Sequence, residues 1–242
     1  MKPLKKIPSL LPLAVFTGAV GSLCRWGLYA LAVDARGLLL RGHGLSWLLA
    51  VIVLGGVGVI AAGVRQEEAP SRQEDFGPCA AGTGYFALAA GITMTVLLPA
   101  SAPETLASVW QLLGLLAAVG LTMSGLCRIR GRQPGFLVFL LPCLFLLAHL
   151  VSHYRLWSAQ PQIQDYLFDL LSTVALMLFA YYHAAAITGN GSPRLLRLFG
   201  LLAVTLGLVS LSRTEHLWLS LGGILFAAAN LGSPADIKEA TP

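Results

Sequence analysis

Charged side chains are what this chain has least of. Only 11% of its 242 residues are Asp, Glu, Lys or Arg, against roughly 25% in ordinary soluble domains. That scarcity excludes a water-soluble globular domain as the first reading. Cysteine is sparse too. Cys24, Cys79, Cys127 and Cys143 form no C-x-x-C pair, which speaks against a zinc ribbon or a disulfide framework; they read as small apolar side chains. Catalytic signatures are missing as well. There is no His-Glu-x-x-His and no Gly-x-x-x-x-Gly-Lys loop for phosphates. Thr122 stands where a Gly-x-Ser-Gly motif around Ser124 needs its first glycine. The net charge of +5 is spread over short loops with no basic, aromatic-lined face, so nucleic acid is not an expected partner.

What the chain does have is apolar residues in long runs, 56% of the total. A spanning helix needs ~20 mainly apolar residues. Eight stretches come close: about 8–32, 46–64, 82–100, 106–127, 135–154, 164–187, 195–212 and 216–232. The predicted fold is all-α, a polytopic helical membrane bundle forming one integral domain over 1–242. Only Ser212-Arg213-Thr214-Glu215 separates the last two stretches, so seven crossings with a re-entrant pair is the alternative to eight. Pro142 is expected to kink the fifth helix. The basic N-terminus imitates a secretory signal, but its apolar run is long and contains Arg25. Leu23 precedes Cys24 where lipoprotein processing needs a small residue. The segment therefore reads as a retained first helix.

Lys and Arg set orientation. With the N-terminus inside, Lys2, Lys5, Lys6, Arg65, Arg72, Arg128, Arg130, Arg132, Arg194, Arg197 and Lys238 fall on the cytoplasmic side. Only Arg36, Arg41, Arg155 and Arg213 fall outside, and Arg25 lies within helix one. Trp47, Trp110, Trp157 and Trp218 are all expected at the outer interface. Both signals predict cytoplasmic termini and a plasma-membrane protein of bacterial inner-membrane type. The expected partners are the lipid bilayer and either further copies of the chain or other membrane subunits. Glycines in helix two and Gly222-Gly223 in helix eight permit close helix approach.

Ionisable groups inside such helices are costly, at roughly 2.5–3.5 kcal/mol for Arg or Asp at a helix centre on insertion scales, and they usually face a partner or a wet cavity. Arg25, His149 and Asp169 reach similar predicted depths below the outer surface, which permits a buried Arg25–Asp169 pair with His149 nearby. On helix six, Asp165, Asp169, Ser172, Thr173 and His183 share one stripe with Ala180 among them. The stripe could line a solute or proton path, or pack against neighbouring polar groups. His149/His153 and Asp165/Asp169, each spaced i, i+4, also form a candidate divalent-metal set, since that spacing puts both side chains on one helix face. No cofactor is required by the sequence.

Two short motifs carry a family likeness. Glu67-Glu68-Ala-Pro-Ser-Arg72 and Phe145-Leu-Leu-Ala-His149 resemble the first two motifs of the CAAX-protease and bacteriocin-processing family of intramembrane endopeptidases. The resemblance implies a multi-pass enzyme whose glutamates and histidines activate water. It covers about a dozen residues, and this chain departs from the pattern. Pro70 interrupts the first motif, and no His-x-x-x-Asn or His-x-x-x-Asp follows, because Ile187 stands four residues after His183. Three function classes stay open: a small-solute or proton-linked transporter or permease-type subunit, placed first; a non-catalytic membrane partner or scaffold; and a metal-dependent intramembrane enzyme.

Overall fold

The computed structural model describes residues 10–32, 44–66, 77–98, 107–132, 135–158, 166–212 and 216–231. Eight helices follow one another: α1 (Leu10–Leu31), α2 (Gly44–Gln66), α3 (Gly77–Leu97), α4 (Ala107–Ile129), α5 (Phe136–Ser158), α6 (Leu167–Ile187), α7 (Pro193–Ser210) and α8 (Leu217–Ala229). The chain is a polytopic all-helical bundle. Seven helices are long and apolar enough to cross a membrane, and α8, with 13 residues, is shorter. At 1.5 Å per residue α8 spans only about 20 Å of a ~30 Å hydrocarbon layer. Pro142 sits inside α5, which continues through it as one element.

Large apolar side chains such as Phe16, Leu23, Trp26, Val51 and Leu54 are exposed around the outside, as a lipid-facing surface requires. Helix α7 occupies the middle, against α1, α2, α6 and α8, while α3, α4 and α5 continue the bundle from α8 round to α6. Glycine lets α8 sit tight on α3. A Cβ at Gly91 would lie 2.5 Å from the Trp218 carbonyl oxygen, and one at Gly222 would lie 2.6 Å from that of Ala87.

Two turns at one end of the bundle close with the same device. The amides of Gly131 and Arg132 bond the carbonyls of Arg128 and Cys127, and those of Gly189 and Asn190 bond Ala186 and Ala185. Gly131 and Gly189 have φ of 70° and 81°, the left-handed conformation this helix ending needs. At the opposite end the end of α7 and the start of α8 lie inside the bundle. Ser210 Oγ donates to the Phe168 carbonyl near the start of α6, and the ring of His216 lies beside that of His149. His149 stands nine residues before the end of α5 at Ser158, roughly 13 Å inside it. Short α7 and α8 thus carry His216 down among the longer helices.

Candidate metal centre

Helix α5 supplies His149 and His153 one turn apart, and the N-cap position of α8 supplies His216. One ring nitrogen from each lies within 4.8 Å of the others, and all three residues are buried. His153 Nδ1 lies 3.0 Å from the His149 carbonyl oxygen. A carbonyl only accepts, so Nδ1 carries the proton and Nε2 the lone pair. That is how protein groups behind a metal site fix the ligating nitrogen. Ser152 Oγ donates to the same carbonyl at 2.9 Å. His149 is 1% exposed and neither ring nitrogen has a hydrogen-bond partner, a condition costing roughly 1–3 kcal/mol per buried group. Its ring stacks between chemistry and core. On one side lies His153, at 3.9 Å between centroids. Trp110 and Phe145 stack on it at 5.9 Å each.

The donor set fits a borderline-soft divalent ion. Three imidazoles with one position left over is the composition of an open zinc-type centre. A tetrahedral site with ~2.05 Å Zn–N bonds has nitrogens about 3.3 Å apart, so ligation would draw the rings inward from their present separation by rotations about χ1 and χ2.

The other sequence candidates fall elsewhere. Arg25 Nη1 and Nη2 donate to the two Asp169 carboxylate oxygens at 2.7 and 2.8 Å, and Nη1 also reaches the Val209 carbonyl at 3.3 Å. The Tyr29 and Phe168 rings flank the guanidinium at 5.8 and 5.7 Å. Asp169 is thus engaged by Arg25, and among the described residues the third side chain beside His149 and His153 is His216. Asp165 lies outside the described residues, as do Glu67, Glu68 and Arg72 of the family-like motif. Asp169, Ser172, Thr173, Ala180 and His183 are all buried on α6, while Tyr181 is exposed. Their polar atoms are met separately. Thr173 Oγ1 donates to the Asp169 carbonyl at 3.0 Å, and His183 Nε2 pairs with the Tyr85 hydroxyl. Rings of Phe139, Phe179 and Phe226 surround His183.

One further placement differs from expectation. Trp110 is buried beside His149 rather than at an interface. The cysteines are free, with Cys79 exposed and the other three half-buried. His216 was invisible to spacing arguments, being a lone histidine in a polar turn far from His153 in sequence. The one available signal was the brevity of the last two apolar runs, which lets α8 begin inside the bundle. No protein-family model, no curated protein and no solved structure matches the chain.

Proposed function

We infer that the chain is a metal-dependent intramembrane enzyme, holding one zinc-type ion through His149, His153 and His216. The observation that carries this is the convergence of three buried imidazoles from two separate elements, with both nitrogens of His149 otherwise unmet. With three neutral imidazole ligands, the ion would keep its full charge and favour an oxygen ligand in the open position. There it supplies Lewis-acid activation. Trp110 and Phe145, stacked on the bundle side of His149, support a resident ion over a transported one. The stripe on α6 favours packing over a solute path, because Asp169, Thr173 Oγ1 and His183 Nε2 are met separately by Arg25, the helix backbone and Tyr85. The Lys and Arg distribution supports cytoplasmic termini, which would put the histidines near the outer leaflet of a plasma membrane.

Elemental analysis of the detergent-purified protein tests the reading. Wild type should carry close to one zinc-class ion per chain, and His149→Ala and His216→Ala should lose it while keeping their helical content. Cobalt substitution then probes the open position, since added azide should shift the visible spectrum. Metal-free wild type after growth in zinc-supplemented medium, or full metal in both variants, would sink it.

A further inference from the structure

Arg128 stands in the last turn of α4, at the end of the bundle away from the cluster of His149, His153 and His216. Its sequence neighbours Arg130 and Arg132 are exposed, as arginines near a helix end ordinarily are when they snorkel outward. Arg128 does not follow them. It is 7% exposed, and its Nε is buried with no acceptor. Among the described residues its guanidinium has no ion pair, because the one described carboxylate, Asp169, belongs to Arg25 at the other end. Burying part of a guanidinium with no acceptor in reach is costly.

The surroundings are polar and also incompletely bonded. Tyr85 on α3 and His183 on α6 hydrogen-bond to each other and leave His183 Nδ1 without a partner. Across the same turns of α3, Asn230 donates from Nδ2 to the carbonyls of Ala81 and Phe226, and its buried Oδ1 accepts nothing. The helices approach closely here. A Cβ at Gly125 would meet the Gly82 carbonyl at 3.1 Å, so α4 brings Arg128 directly against α3.

We propose that Arg128 anchors an oxyanion site of phosphate type at the contact of α3 and α4. A guanidinium fork matches a phosphate through two parallel hydrogen bonds, and it stays charged at any working pH. A bilayer supplies phosphate at this level in its headgroups, and basic pockets between helices are where anionic lipids bind. A soluble phosphate compound entering from the adjacent aqueous phase has the same chemistry. The site is separate from the histidine cluster and does not depend on a metal there.

Thermal unfolding in maltoside, which carries no phosphate, separates these sources. Wild type should be stabilised by added phosphatidylglycerol if the anion is a headgroup, or by inorganic phosphate if it is a solute. Arg128→Met should unfold higher than wild type without either addition, because an unmet charge is gone, and it should lose the response. Arg128→Lys keeps the charge without the fork and should bind roughly ten-fold more weakly or worse, the effect of losing one charge-assisted hydrogen bond. Arg130→Met should respond as wild type does. Stabilisation by neither additive, or an undiminished response in Arg128→Lys and Arg128→Met, overturns the proposal.

Discussion

Arg25 and Asp169 are 144 residues apart in sequence and meet fork to fork inside the bundle, at 2.7 and 2.8 Å. The pair joins α1 to α6, and its further bond to the Val209 carbonyl ties both to the end of α7. Removing one member leaves the other buried and unmet, which typically costs about 3–5 kcal/mol. Asp169→Asn should therefore lower the unfolding temperature sharply, and adding Arg25→Met should recover part of the loss. Metal content should change in neither variant. An Asp169→Asn protein as stable as wild type would mean that the ion pair contributes little.

The histidine site makes its own prediction about pH. Protons and metal compete for the same imidazole lone pairs, so affinity must fall as pH falls. Competition with a chromogenic chelator should give a metal affinity that weakens steadily on acidification from neutral pH. Replacing His153 by Gln should weaken affinity by a smaller factor than His149→Ala, because Gln can still offer one oxygen donor. An affinity flat with pH would point to carboxylate ligands instead.

Helix number, the apolar exterior and the polar stripe on α6 were all legible in sequence, because lipid imposes long uninterrupted runs and makes each interior charge conspicuous. Arg25 and Asp169 stood out for that reason. The grouping of the histidines was not legible. It depends on how far inside the bundle α8 begins, which follows from the lengths of α7 and α8 and their seating on α6 and α3. Arg128 was hidden differently. One arginine among three near a helix end looks like a loop cation, and only side-chain direction separates it from Arg130 and Arg132. Trp110 misled for a related reason, since a tryptophan near a helix start suits an interface as well as an interior stack.

The seating of α8 can be tested at its glycines. A side chain at Gly91 or Gly222 meets backbone carbonyl oxygens at 2.5 or 2.6 Å, and backbone cannot swing aside as a flexible side chain can. Gly222→Ala should cost about 1–3 kcal/mol, the usual range for overpacking. It should also weaken metal binding, because α8 carries His216 at its start. Gly55→Ala is the contrast. Nothing lies within 4 Å of its added carbon, so better helix propensity should leave it level with wild type or up to ~1 kcal/mol more stable. Equal effects at the two positions would show that the α3–α8 contact is looser than these distances require.

Orientation can be read from chemical labelling. Cys79 is exposed near the start of α3, at the end of the bundle where Arg65, Arg128, Arg130, Arg132 and Arg194 gather. Arg155 is exposed near the opposite end, in the last turn of α5. Cytoplasmic retention of basic loops would put the first end inside. A variant keeping Cys79 as its only cysteine should react with a membrane-impermeant maleimide only after the cells are permeabilised. A cysteine-free variant carrying Arg155→Cys should react in intact cells. The opposite pattern would invert the topology and place the histidine cluster on the cytoplasmic side, where the metal supply and any substrate would have to come from the cell interior.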